Sequence, residues 1–263
     1  RSEMAQRSCG AVTPVRFVEG VSKPMALEVF SVNARNLAEH TGNAIHTDAG
    51  AKAAGYPAAL VAGVTTYAYL THVPASAWGL EWVRSGSAHV RFLAPVCAGD
   101  RIDCTPSVDG AATVVNAVVD ATVRASCSVQ RVADAIESVS TTDERLPTIE
   151  VPLVDLMDNY GTRCGDPLSL YDEHGIVHPA VWPVLANRTT SQHLVTGSWI
   201  HTRSLITHLG LANVGSTAEV AATVTKRFTT TAGERAIIDV RISVDGKPVA
   251  QLEHESIVSL VER

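Results

Sequence analysis

Pro57-Ala58-Ala59-Leu60-Val61-Ala62-Gly63-Val64-Thr65-Thr66-Tyr67-Ala68-Tyr69-Leu70-Thr71-His72-Val73 is apolar or small on every face. A run of that length without a polar side reads as a helix buried all round. Such a helix has to be wrapped. The next segment, Ser87-Ala88-His89-Val90-Arg91-Phe92-Leu93-Ala94-Pro95-Val96-Cys97-Ala98-Gly99-Asp100, reads as a strand entering a Gly-centred turn. Ala112 to Val119 and Ala121 to Val132 read as further strands, apolar on both faces as central strands are.

The same order then recurs. His178 to Leu194, opening His178-Pro179-Ala180-Val181-Trp182, reads as a second buried helix, with Pro179 suited to a first turn and Pro183 expected to kink or restart it. Ser204 to Ser216 reads as a strand leading to a Gly-centred turn. Ile238, Val240, Ile242 and Val244 alternate with Asp239, Arg241 and Ser243, the period of a half-buried antiparallel strand. Asp245-Gly246 supplies a tight hairpin, and a return strand runs from about Pro248 to Leu260. A sheet wrapping a long apolar helix is the hot-dog arrangement. Two in one chain predict an α+β double hot dog, a pseudo-dimer of two antiparallel sheets, each around its helix. Joining the copies covers a sheet edge that one copy alone would leave bare. Ser138 to Pro152, with its charges and two prolines, reads as the connector. The expected halves are residues 1–140 and 141–263.

Bulk properties narrow the function. With 46% hydrophobic and 18% charged residues the 263-residue chain can build a sizeable core. A net charge of −6 without a Lys/Arg cluster argues against nucleic acid as a partner. The five cysteines (Cys9, Cys97, Cys104, Cys127, Cys164) have no C-x-x-C spacing, so free thiols are expected and no zinc site. No apolar run reaches the ~20 residues that span a bilayer, and Arg1-Ser2-Glu3-Met4 lacks an apolar signal core. The expectation is a cytoplasmic protein without membrane, metal or cofactor. No Walker or Rossmann glycine pattern occurs.

The chemistry-bearing stretch precedes the first helix: Thr41-Gly42-Asn43-Ala44-Ile45-His46-Thr47-Asp48, then Gly55-Tyr56-Pro57 and Leu60-Val61-Ala62-Gly63. It resembles the signature of MaoC-like, (R)-specific enoyl-thioester hydratases, T-G-D-x-N-P-x-H-x-D, a G-[FY]-P step, then I-x-H-G. Phe92-Leu93-Ala94-Pro95-Val96 with Gly99-Asp100 resembles that family's F-x-x-P-V-x-x-G-D turn. The resemblance implies roles residue by residue. His46 matches the catalytic His and Asn43 the motif Asn. Gly63 matches the glycine whose N–H holds the thioester oxygen, although Ala62 replaces the preceding His. Thr71 falls where a late hydroxyl often stands, and Asp48 is expected to cap a helix. The catalytic Asp is missing, because Gly42 runs directly into Asn43. Glu39 and His40 are close enough in sequence to approach His46. His46-Thr47-Asp48-Ala49-Gly50 also resembles the H-x-x-x-G of polyketide synthase dehydratase domains, but Gly55 stands where their Pro belongs.

The second half matches in complementary fashion. Cys164-Gly165-Asp166-Pro167-Leu168-Ser169-Leu170-Tyr171 keeps Asp166 at the catalytic Asp position, with Tyr171 for the His. Ile176-Val177-His178-Pro179 resembles I-x-H-G, but Pro179 has no N–H to offer an oxyanion. Asp166 is therefore a candidate catalytic residue, and Tyr171 and His178 candidate substrate contacts. His201 and Arg203, in Gly197-Ser198-Trp199-Ile200-His201-Thr202-Arg203-Ser204, are further candidates because Trp, His and Arg cluster at a strand entry. The implied activity is hydration or dehydration of an acyl thioester of coenzyme A or acyl carrier protein. The alternatives are a non-catalytic acyl-binding protein or inactive partner subunit, and a hot-dog thioesterase. A homodimer, or a hetero-oligomer with another hot-dog subunit, is compatible with a closed pseudo-dimer.

Overall fold

The structure is a computed structural model that describes residues 27–40, 42–109, 112–134, 144–154 and 159–260. Thr41, Cys9 and much of the connector expected at Ser138–Pro152 lie outside these residues. The strands are β1 (Phe30–Asn33), β2 (Ser87–Phe92), β3 (Arg101–Asp109), β4 (Ala112–Val119), β5 (Thr122–Gln130), β6 (Glu144–Arg145), β7 (Ile149–Pro152), β8 (Ile200–His208), β9 (Thr217–Thr230), β10 (Gly233–Val244) and β11 (Lys247–Leu260). The helices are α1 (Asp48–Ala53), α2 (Gly63–Ser85), α3 (Tyr160–Cys164), α4 (Leu170–His174) and α5 (Val181–His193).

All described strands join one 11-stranded antiparallel sheet in the order β1-β3-β4-β5-β2-β8-β11-β10-β9, with β6 and β7 both on β9. The order is a palindrome about the β2–β8 pair, where Ser87 faces Thr207 and Arg91 faces Arg203. The two expected sheets are thus one, because each half offers an edge strand to the other. The repeat persists at the level of single bonds. Val61 N–H donates to Val96 C=O at 2.8 Å and Val177 N–H to Ala212 C=O at 3.0 Å. Leu60 bridges Cys97 as Ile176 bridges Asn213. Gly99 and Gly215 share φ +91°, a left-handed backbone that glycine adopts without penalty.

Helix α2 starts later than its composition predicts. Leu60 and Val61 are spent on pairing with the turn after β2, so the helix opens only at Gly63. From Val64 to Thr71 every side chain is buried, and Tyr67, Tyr69 and Leu70 are wholly inaccessible. The element continues to Ser85 with a non-helical break at Gly79, φ +60°. Helix α5 begins at Val181 and runs unbroken through Pro183. Pro183 is the third helical residue, where the N–H has no intrahelical acceptor, so neither kink nor restart follows. The C-terminal hairpin turns at Asp245-Gly246 with φ +51° and +72°, the paired positive φ of a tight hairpin turn. No described helix is long and apolar enough to cross a membrane.

Candidate active site

One large cavity, of about 760 Å³, opens between the halves. The first half contributes the His46 loop, the start of α2 and the turn after β2. The second contributes Tyr160, Val184, Asn187, Arg188 and the approach to β8 through Trp199 and His201.

His46 closes a short 3-10 turn, Ala44–His46. Leu60 clamps this turn twice, its N–H donating to Ile45 C=O at 3.0 Å and its carbonyl accepting from His46 Nδ1 at 2.8 Å. A carbonyl can only accept, so Nδ1 carries the proton and Nε2 holds the lone pair. Burial lowers the His46 pKa below 6.5, partly offset by the Leu60 bond, so the ring is neutral at pH 7. Asn36 Nδ2 donates to the His46 carbonyl and fixes the backbone from the other side. Thr47 caps α1 by accepting from Gly50 N–H at 3.1 Å. Asp48, expected to be the cap, is instead the first residue of α1, and its Oδ1 accepts from Ala59 N–H at 3.1 Å. A Cβ on Gly50 would lie 2.0 Å from the Ala44 carbonyl oxygen, so only glycine fits under this loop.

Gly63 is the first residue of α2 and lines the cavity. Its N–H has no acceptor within the helix, and the positive end of the helical segment that runs from Gly63 to the break at Gly79 lies behind it. Phe92 packs against it so closely that a Cβ at Gly63 would meet the ring at 3.1 Å. The Phe92 ring in turn meets His201 edge-on, with centroids 4.8 Å apart. Asn43 Nδ2 donates to the Trp199 carbonyl at 2.9 Å, tying the motif loop to the second half.

The cavity therefore gathers Asn43, His46, Gly63 and His201 from the predicted residues. A β-bulge between β8 and β11 drops Thr202 from the strand register, so His201 and Ser204 reach the same side. His201 Nε2 meets Ser204 Oγ at 2.8 Å, and Ser204 Oγ meets His254 Nδ1 at 2.9 Å. Burial drives the His201 pKa down to about 3 and that of His254 well below 6.5. Arg203 is elsewhere: its guanidinium pairs with Glu253 at 2.6 Å and Glu255 at 3.3 Å.

Asp166, Tyr171, His178 and Thr71 do not line this cavity. Asp166 is 1% exposed. Its Oδ1 takes His72 Nδ1 of α2 at 2.6 Å and Leu168 N–H at 2.9 Å. Oδ2 lies 3.7 Å from His178 Nε2. Burial opposes ionisation, but His178 and His72 outweigh it and hold the carboxyl well below the usual range. The Tyr171 ring lies tilted against His178 with centroids 4.4 Å apart, and His178 Nδ1 accepts from Ala180 N–H at 3.0 Å. The space left there is about 10 Å³, room for one water at most. Thr71 Oγ1 bonds back to the Ala68 carbonyl at 2.7 Å.

The cavity wall also holds Glu39, His40, Thr66 and Tyr160. His40 and Glu39 stand out in the sequence only by closeness to His46. Tyr160, Asn187 and Arg188 carry no sequence signal, because their role arises where the halves meet. Among the described residues no cluster of His, Cys, Asp or Glu could hold a metal, and Cys97, Cys104, Cys127 and Cys164 are free thiols.

Architecture and cavity together define a double hot-dog protein. Residues 26–130 match the model of the MaoC like domain. Several solved structures share the fold. The dehydratase domain of PpsC from Mycobacterium tuberculosis, solved with C12:1-CoA, superposes with a TM-score of 0.51 at 11% identity over 88% of this chain and 93% of its own. RV0216 from Mycobacterium tuberculosis, described as a double hot-dog fold, gives 0.57 at 10% identity over 88% and 95%. A Lactobacillus plantarum protein assigned as an oleoyl thioesterase gives 0.55 at 12% identity over 89% and 96%. A search of the curated proteins gives no match. The chain thus has the double hot-dog fold, and its first half is similar to the MaoC like domain.

Proposed function

We propose that this chain adds water to a 2-enoyl thioester, or removes it from the 3-hydroxyacyl thioester, with coenzyme A or acyl carrier protein as the carrier. The observation that carries this reading is a neutral His46 with its lone pair on Nε2, on the same cavity as the free N–H at the start of α2.

Each step follows from those two groups. Water gives a proton to His46 Nε2 as its oxygen bonds to the β-carbon. The electrons of the C=C bond move through the α-carbon onto the thioester oxygen. The Gly63 N–H and the dipole of α2 stabilise that enolate. The His46 imidazolium then delivers its proton to the α-carbon and the thioester carbonyl re-forms. One water is consumed and His46 ends as it began, so a single imidazole can serve as base and then as acid. The cavity's apolar side, with Ile45, Leu60, Val96, Val184 and Ile200, suits the acyl chain.

The test is hydration of a short 2-enoyl-CoA, followed by loss of the enoyl absorbance, with free thiol measured in parallel. His46→Ala is expected to abolish hydration while the variant still binds acyl-CoA. Turnover at the wild-type rate in that variant sinks the role of His46, and thiol release without hydration replaces the reading by thioester hydrolysis.

A further inference from the structure

Every step above leaves the attacking water held by His46 alone, and the position after Gly42 where a carboxylate would assist is empty of one. We infer that His40 is the second catalytic residue of this site, an imidazole that holds the water His46 deprotonates. The inference rests on the hydration reading.

Three observations converge on it. First, His40 lines the same cavity as His46, and their rings are tilted at 59° with centroids 6.1 Å apart. A ring nitrogen lies about 1.2 Å from its centroid, and a water accepts and donates over about 2.8 Å. The separation is thus too wide for the rings to bond directly and suits one shared water. Second, His40 is held at its far side. Its Nε2 meets Thr65 Oγ1 at 3.4 Å, and Thr65 Oγ1 meets the Tyr160 hydroxyl at 3.2 Å. Thr65 and Tyr160 are both buried, so this chain orients the ring. If Tyr160 donates to Thr65 and Thr65 to Nε2, His40 Nδ1 carries the proton and can hold a water oxygen. That water then points a hydrogen at the His46 lone pair and keeps an oxygen pair for the β-carbon.

Third, the charges around His40 keep it an imidazole. The titratable and charged groups facing it are Glu39 on its own turn, His46 on the next, and Arg163 on α3, beside Thr65 of α2 and Tyr160. Arg163 Nη1 takes Glu39 Oε1 at 2.7 Å, which neutralises the nearest carboxylate. Burial, only partly opposed by Glu39, lowers the His40 pKa to about 4. The ring is neutral at pH 7, as a donor to water from one nitrogen and an acceptor at the other requires.

The experiment measures kcat, KM, acyl-CoA affinity and thermal midpoint for wild type, His46→Ala, His40→Gln and His40→Ala on the same enoyl-CoA. Loss of general acid–base assistance is worth about 10²-fold or more. His40→Gln is expected to lower kcat by about 10²-fold, with KM, affinity and thermal midpoint close to wild type. Added imidazole is expected to restore part of the lost kcat in His40→Ala, which a merely structural role would not allow. If His40→Ala fails to fold, His40→Gln, which keeps an amide for Thr65, carries the kcat-against-KM test. Wild-type kcat in His40→Gln, with His46→Ala inactive, overturns this inference and leaves the hydration reading standing. A loss confined to KM, or one that imidazole does not recover, also overturns it. A wild-type chain without hydration overturns the reading beneath it and the inference with it.

Discussion

His46 is set by a single carbonyl. Leu60 forces the proton onto Nδ1, and burial lowers the pKa, so the base is ready at neutral pH. The sign of the pH dependence follows. A base works only when unprotonated, and its pKa here lies below 6.5. Hydration, measured as kcat/KM across pH, should therefore show an acid limb centred below pH 6.5. An acid limb centred at or above 6.5 would show that another group governs the rate. Gly63 is constrained differently. Its missing side chain lets Phe92 lie over the helix start, and a Cβ would sit 3.1 Å from that ring. Gly63→Ala should push Phe92 toward His201 and shift the thioester off the N–H. A drop in kcat of about 10²-fold to 10³-fold is expected, the range for losing one oxyanion donor. A thermal midpoint within a few degrees of wild type would separate that from unfolding. A variant with unchanged kcat would remove Gly63 from the oxyanion role. Of the motif residues, Asn43, His46 and Gly63 are legible because their types and spacing repeat a known pattern. His40 is legible only as a neighbour of His46 in sequence, since nothing in a linear string says which way its ring faces.

Between elements, Asp166 changes meaning. In the sequence it is a catalytic Asp in a second copy of the signature. In the fold it joins α3 and the loop after it to α2, through His72, while His178 closes the other side. Glu39 with Arg163, and Tyr69 OH with the Cys164 carbonyl at 3.0 Å, fasten the same seam. Removing the acceptor of a buried hydrogen bond leaves its donors unpaired and typically costs about 1–3 kcal/mol. Asp166→Ala should lower the unfolding free energy measured in urea by an amount of that order. Hydration by the variant at low temperature should be largely kept, because Asp166 does not line the cavity. A variant as stable as wild type would mean that Asp166 does not staple the halves. The helix boundaries teach a related point. Composition marks Pro57 to Val73 as helical, but strand-like pairing of Leu60 and Val61 claims its first turn, and the helix runs on past Val73 to a break at Gly79. Pro183 looks like a breaker only until the helix is known to begin two residues before it.

Over the whole molecule, burial of histidine imposes a pH limit. Burial takes His201 to about 3, His208 to about 4 and His254 well below 6.5. Folded pKa values below the unfolded value mean that the unfolded chain binds more protons between them. Their contribution is fully present above pH 6.5 and is lost as pH falls toward the folded values. Each such histidine removes up to about 1.4 kcal/mol per pH unit in that window. Urea unfolding at pH 7.5 and 5.5 should therefore show a loss of a few kcal/mol at the lower pH, and equal midpoints would contradict it. The cavity is also a property of the whole, with walls drawn from both halves. By itself the sequence determines the two-copy architecture, because alternation, buried-helix runs and turn glycines are local patterns with local physical causes. It also determines that the first copy keeps the histidine and the second the acid. Only the tertiary structure decides that the sheets fuse through β2 and β8, that the first copy opens into the cavity while Tyr171 and His178 fill the second, and that His40 turns toward His46. Those outcomes depend on which side chains from distant segments compete for the same volume, and no pattern along the chain records that competition.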